Sequence, residues 1–277
     1  MAVEVALTPP PRPLSGATHG AGLLEQTLAV ARRAVVRTTR QRALMVFPMI
    51  FPLILFAING SALSAATRIP RFPTHHYRDF LIAMPFIQGA MFVSITAGVD
   101  LARDIENGFL NRLALTPLRG EALLVGQLGG ALVLRVIQAI VYLLVGLATG
   151  VTFASGVGGA LVLLALSILI AFAFASLGGL LALRFGTGEA VQGIFPLLFV
   201  TLFLSSSSLP RNLIKTSWFR DIATYNPVSY LLEGLRSLVI TGWDGRALAL
   251  GFGFALGLLV ISVMLSQQAM KSRLARK

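Results

Sequence analysis

The side chains in this sequence that carry chemistry are few, and their spacing rules most of it out. His75 and His76 are adjacent, with Asp79 close behind. Neighbouring side chains on a helix point in different directions, so the two imidazoles do not converge on one ion, and no further His lies nearby. The segment reads as a polar loop, and no metal site is assigned. Ser205 to Ser208 form a serine run. A serine nucleophile needs a base and an acid arranged behind it, and no His–acid arrangement is near; helix-end polarity is the plainer reading. The lysines are Lys215, Lys271 and Lys277, and none follows a glycine. A P-loop needs Gly-Lys-Ser/Thr after its glycine-rich turn, because the lysine reaches the β- and γ-phosphates. The chain therefore has no recognisable P-loop. It has no cysteine either, which removes disulfides, thiol nucleophiles and thiolate metal sites. No catalytic residue, metal ligand or resident cofactor is assigned.

What remains are polar residues in apolar surroundings. Arg135 stands inside an apolar stretch with Gln138 three residues on. A lipid-facing guanidinium at mid-membrane is costly, so Arg135 must face protein, water or a headgroup. The favoured reading is that it snorkels to the near surface; the alternative is a place in a substrate path or a dimer seam. Glu233 and Arg236 lie three apart, on one helix face, and are expected to pair, either structurally or as an outer gate. Phe47, Phe51, Phe56, Phe195, Phe199 and Phe203 fall in two apolar stretches. They suit an apolar pocket, or equally packing and lipid contact.

The elements that must position these residues are membrane helices. Of the 277 residues, 56% are hydrophobic and only 12% charged, about half the charge of a soluble domain, and the mean hydropathy is +0.81. Apolar runs of roughly 20 residues recur, the length that crosses a hydrocarbon core of about 30 Å. Backbone groups in lipid must bond internally, and runs without period-2 alternation mean helices rather than barrel strands. The predicted spans are 44–64, 80–99, one within 122–150, one within 158–183, 191–205 and 247–266. The net charge of +12 sits mainly in connectors and tails, where it sets orientation and meets anionic headgroups; nucleic acid is not an expected partner. Residues 1–22 lack the basic and apolar regions of a secretory signal and read as a flexible cytoplasmic tail. Leu23 to Arg42 reads as an interfacial helix, with Arg32, Arg33, Arg37, Arg40 and Arg42 available for headgroups. An even span count puts both termini on one side, and the arginines before the first span with Lys271, Arg273, Arg276 and Lys277 make that side cytoplasmic.

Two connectors stand out. The first is a polar island, Asp100 to Gln127, between the second and third spans. Leu101, Ile105, Phe109 and Leu113 follow at i+4 steps and form an apolar stripe on a predicted amphipathic helix, bordered by Glu106 and interrupted by Arg112. A membrane chain has little use for such an element unless something docks on it. Ile105, Phe109 and Leu113 are the expected apolar anchors, with Glu106 and Arg112 as charged contacts. The second connector, Ser206 to Arg246, holds Asn226-Pro227, a helix-start signal. The apolar 228–240 that follows is too short to cross, which fits a re-entrant or interfacial helix before the last span.

These features together resemble the membrane subunits of ABC-2-type transporters, especially the bacterial drug-, antibiotic- and lipid-exporter branch that includes daunorubicin-resistance permeases. The resemblance rests on the Arg-rich helix feeding a first span with Phe47-Pro48 and Phe51-Pro52. It rests further on Glu106-Asn107-Gly108 followed by Leu115-Thr116-Pro117-Leu118-Arg119, on Asn226-Pro227…Glu233…Arg236…Gly242, and on the number and order of spans. It covers Leu23 to Lys277. At the island many relatives carry a basic residue where this chain has Asn107.

The resemblance implies an all-α integral membrane protein: six spans, an N-terminal interfacial helix, a cytoplasmic coupling helix and an outer re-entrant helix. It implies a bacterial plasma-membrane permease that dimerises, with an identical chain or a paralogue. Such a permease lines a substrate path and couples through the island to two copies of a separate ATPase holding ATP and Mg. Few intramembrane charges point to an amphipathic, drug-like or lipid substrate rather than ions or sugars. Polysaccharide export is the alternative within the family. A membrane-embedded enzyme or assembly factor would need clustered intramembrane His, Asp or Glu, and a secondary transporter would need midplane ionisable groups and repeats; neither is seen.

Overall fold

A computed structural model describes residues 42–108 and 135–275, and all of their regular structure is helical. The expected tail and interfacial helix, and the island beyond Gly108, lie outside the described residues. Three helices are long and apolar enough to cross a membrane: Tyr77–Glu106, Gly156–Phe185 and Gly245–Met270. Three shorter apolar helices, Val46–Ala62, Arg135–Ala148 and Gly188–Phe203, fall where the other predicted spans lie.

Helix α1 (Arg42–Ala62) contains Pro48 and Pro52. Pro52 has no N–H to give the carbonyl four residues back, which is that of Pro48. The gap is filled from outside the helix: the Tyr142 hydroxyl donates to the Pro48 carbonyl at 3.0 Å. After a 3-10 turn at Ser64–Arg68, α2 (Tyr77–Leu81) passes through Ile82 into α3 (Ala83–Glu106). The predicted second span therefore runs seven residues further than its apolar run, to Glu106. α4 (Arg135–Ala148) and α5 (Gly156–Phe185) follow. Next come the short α6 (Gly188–Gly193) and α7 (Phe195–Phe203), then α8 (Ser217–Tyr225), α9 (Pro227–Ile240) and α10 (Gly245–Ala275).

α3 is the centre of the bundle. Its most apolar window is 83% buried, against 50% for α5 and 17% for α10. It packs chiefly along α5, and α5 in turn along α10. The α3–α5 crossing is made by small residues. A Cβ on Gly178 would fall on the Ser94 carbonyl, and one on Gly98 would stand 2.7 Å from the carbonyl oxygen of Gly178. Glycines let backbones approach this closely. The GxxxG spacing of Gly253 and Gly257 does not mark this crossing: both have nothing within 4 Å of a Cβ position.

α9 begins as its sequence dictates. The Asn226 side chain accepts from the Val228 N–H at 2.9 Å, and Pro227 takes the first helical position, where a missing N–H costs nothing. Its 14 residues reach about 21 Å, short of a bilayer core. Gly242, at φ +89°, turns the chain into α10. At the opposite end of the bundle α5 stops at Gly186 (φ +83°), and Arg273 near the end of α10 donates to the Leu183 carbonyl at 2.5 Å. A cation on the last carbonyls of a helix suits its dipole.

Candidate functional site

The phenylalanines form one surface. Phe47 and Phe51 of α1 stack at 5.3 Å, and Phe92 of α3 stands edge-on to both at 5.9 Å. Phe92 also meets Phe195 and Phe199 of α7, at 5.1 and 5.8 Å, and Phe199 continues to Phe203 at 6.4 Å. Offset and edge-on pairs at these separations are favourable beyond simple burial. The surface is half open: Phe92 is buried, while Phe47 is 60% and Phe203 53% exposed. Five of the six phenylalanines expected to suit an apolar pocket thus come together. Phe56 does not; it is buried in the main core. The hub, Phe92, was not singled out by the sequence, because a single Phe in a uniformly apolar span carries no pattern.

Arg135 corrects the snorkelling expectation. It is fully buried, and its Nη2 donates to the Phe86 carbonyl at 2.7 Å, with the Phe86 and Tyr142 rings 5.7 and 5.8 Å from the guanidinium carbon. The side chain reaches protein rather than the membrane surface because α3 offers it a hole. Gly89 has no side chain, and a Cβ there would collide with Nη1. Arg135, Gln138 and Tyr142 are spaced to share one face of α4. Gln138 and Gln88 are fully buried too. Gln88 was legible as a lone amide in an apolar run; Tyr142 was not.

At the α9 end, Glu233 and Arg236 do not pair with each other, contrary to expectation. Both reach the serine turn that ends α7. Arg236 donates to the carbonyls of Ser206 and Ser207, each at 2.6 Å, and to that of Phe80 at 2.8 Å, with the Phe80 ring 3.6 Å away. It is 5% exposed. Glu233 takes Arg211 as its partner and accepts from the Ser206 hydroxyl at 3.3 Å. The guanidinium prefers carbonyls because the turn ending α7 presents them unbonded, while Arg211 arrives from a neighbouring 3-10 turn that no helical spacing predicts. Burial by itself pulls the Arg211 pKa down, but its hydrogen bonds with Glu233 and Tyr230 outweigh this and hold it above the ordinary value. Further ties run from Asn226 to the Thr201 carbonyl at 2.6 Å and from the Ser206 N–H to the Ser229 hydroxyl at 3.0 Å. The serine run is thus the clasp between α7 and α9. A cavity of about 370 Å³ opens beside it, lined by Arg211, Asn212, Glu233, Arg236 and Asp244.

At the Glu106 end, the apolar stripe begins inside the bundle. Leu101 is buried against Leu180, Leu183, Val191 and Met270, and Ile105 packs on the same cluster. Asp104 is buried as well. α3 ends at Asn107 and Gly108 takes φ +65°, so the stripe is not one continuous helix from Leu101. Phe109, Arg112 and Leu113 lie outside the described residues. The Glu106 carboxylate accepts from the Gly188 N–H at 3.0 Å, in the first turn of α6. Glu106 thus has an intramolecular role besides the partner contact expected of it. Near α2, Asp79 accepts from the Thr74 hydroxyl at 3.1 Å, and no group of three metal-ligating side chains occurs among the described residues.

Residues 25–240 match the family model described as ABC-2 type transporter. The chain is 24% identical over 235 residues to the probable doxorubicin resistance ABC transporter permease protein DrrC of Mycobacterium tuberculosis, covering 84% of this chain and 83% of that one. It is 25% identical over 206 residues to the daunorubicin resistance ABC transporter permease protein DrrB1 of Streptomyces coeruleorubidus, covering 71% and 67%. It is 25% identical over 268 residues to the putative transport permease ycf38 of Porphyra purpurea, covering 91% of each. A family match over most of the length, on an all-helical bundle with apolar helices in the expected places, means that this chain belongs to the ABC-2 type transporter family.

Proposed function

We propose that the chain is the membrane subunit of an ATP-driven exporter and moves an amphipathic, drug-like or lipid molecule out of the cytoplasm or the inner leaflet. The observation that carries this reading is the half-open phenylalanine surface shared by α1, α3 and α7. It offers aromatic contact area to an apolar body. The names of the relatives support the drug-like class. In this reading six helices span a bacterial plasma membrane, both termini are cytoplasmic, and α9 re-enters from the outer side. The island receives a separate ATPase, present twice and supplying ATP and Mg, through Ile105, Phe109 and Leu113 with Glu106 and Arg112. A second permease, identical or a paralogue, completes the path. The clasp of Glu233, Arg236 and the serine turn closes it on the outer side.

The test is reconstitution with the ATPase in liposomes, measuring ATP hydrolysis with lipophilic compounds and with lipid-linked glycans. Stimulation by lipophilic compounds is expected, with loss of that stimulation in Phe92→Ala. Stimulation by glycans alone would refute the apolar-substrate reading.

A further inference from the structure

We propose that Arg135 and Gln138 of α4 form a headgroup site for an anion-bearing amphiphile, a carboxylate or phosphate on an apolar body, next to the phenylalanine surface. The inference rests on the export reading above and narrows its substrate class.

The patch is incomplete as it stands. Arg135 is sealed from solvent, yet its Nε and Nη1 have no hydrogen-bond partner, and no carboxylate pairs with it among the described residues. Among the described residues, two aromatic rings and one carbonyl are what it meets. Gln88 is equally buried, and both its amide oxygen and its amide nitrogen lack partners; the same holds for Gln138. Buried polar groups are almost always bonded, and a buried cation without a counter-charge is among the costliest arrangements in a protein. In a membrane, where water offers no relief, the expense is greater. An anionic head corrects the guanidinium and the Gln138 amide together. It supplies the missing charge and acceptors for Nε, Nη1 and the amide nitrogen, and charge-assisted bonds of this kind are the strong ones.

The patch also stands where an amphiphile on the phenylalanines would place its head. Gly89, against which the guanidinium lies, and Phe92 are three residues apart, on one face of α3, and Phe92 is the hub of the aromatic surface. From the other side, the Tyr142 ring that flanks Arg135 sends its hydroxyl to Pro48, between Phe47 and Phe51. An apolar body lying on Phe47, Phe51 and Phe92 therefore has its end at the α1–α4 seam. Parting that seam at the Tyr142–Pro48 hydrogen bond admits the head to Arg135. A cationic head finds no counter-charge there and meets repulsion.

The experiment uses the purified full-length chain in uncharged detergent and three photoreactive probes. These are a diazirine-bearing palmitic acid, its methyl ester and the matching amine. Labelling yield is followed against probe concentration. The acid is expected to label saturably at about tenfold lower concentration than the ester, and the amine to be weakest. Arg135→Gln is expected to bring the acid to the level of the ester, while Arg135→Lys keeps the preference. Equal labelling by acid and ester in the natural sequence, or an acid preference that survives Arg135→Gln, would overturn the proposal. The second of these outcomes would mean that surface arginines attract the acid. Should Arg135→Gln fail to fold, Gln138→Leu serves, since an acid preference undiminished in that variant overturns the site as well. Saturable labelling by none of the three probes would sink the export reading itself, a result distinct from equal acid and ester labelling.

Discussion

Replacing Arg236 by methionine should destabilise this protein far more than replacing Glu233 by glutamine, although the two stand one helical turn apart. Arg236→Met removes three donated hydrogen bonds from a side chain that is 5% exposed. It leaves the carbonyls of Phe80, Ser206 and Ser207 without that donor where water does not reach. Leaving a buried acceptor unsatisfied costs at least about 1 kcal/mol each, so the loss is about 3 kcal/mol, with methionine filling most of the vacated volume. For a chain of this size about 2–4 °C of melting temperature goes with each kcal/mol, which gives a fall of roughly 6–12 °C. Glu233→Gln weakens an ion pair whose side chains are 25% and 28% exposed. Pairs this open to solvent are worth roughly 0.2–1 kcal/mol, and glutamine still accepts from the Ser206 hydroxyl, so the expected fall is at most about 4 °C. The assay is the fraction of detergent-solubilised protein that stays monodisperse in size-exclusion chromatography after heating. Equal losses in the two variants, or an unshifted Arg236→Met, would refute the assignment of the clasp to Arg236.

Three further outcomes are expected. Asn107 and Ser217 are both exposed, and the proposed six-span topology puts them on opposite sides of the membrane, so single cysteines placed there in this cysteine-free chain should differ in labelling by an impermeant thiol reagent on intact cells; equal labelling would overturn that topology. Phe109→Ala should weaken copurification of the ATPase or uncouple ATP hydrolysis from export at near-normal expression, and full coupling in the Phe109, Leu113 double alanine variant would remove that docking site. Trp218 and Trp243 are 61% and 60% exposed and should lie at headgroup depth, where aromatic residues gather; in single-tryptophan variants, lipids brominated high on the acyl chain should quench each more than lipids brominated near its end, and the reverse order would place α8 elsewhere.

The parts of this molecule that could be read in the sequence are those fixed by local rules. Apolar run length located the helices, and Asn226-Pro227 located the start of α9, because a cap and a fixed φ act within one turn. The pairing of Glu233 with Arg236 was the wrong inference from a sound rule. Spacing puts two charges on one face but says nothing of a third charge, Arg211, or of carbonyls left open by the end of another helix. Arg135 misled for a related reason. The expense of a charge in lipid is a property of the residue, but the hole at Gly89 and the carbonyl of Phe86 that receive it belong to a helix some 45 positions away. The α8 helix went unseen because its apolar positions, Trp218, Ile222 and Tyr225, face outward, and a nine-residue segment with polar neighbours resembles a loop.

The distribution of hydrogen bonds indicates how a push on the island would reach the phenylalanine surface. Asn107 and Gly108 end α3, so a partner moving the segment beyond them acts first on the last turn of α3. That turn holds Glu106, whose carboxylate is bonded to the Gly188 N–H. Gly188 opens α6, and α6 leads through Ile194 into α7, which carries Phe195 and Phe199. At its far end α7 is held by Asn226, Ser229 and Arg236 of the α9 region. A segment gripped at both ends transmits displacement; one held at a single end would only fray. The α3–α5 crossing at Gly98 and Gly178 has no room to slide, because backbone already lies on backbone there. Movement of the island is therefore expected to be taken up by α6 and α7 rather than by the central helices. The side chains displaced first are then Phe195, Phe199 and Phe203, on the α7 side of the aromatic surface.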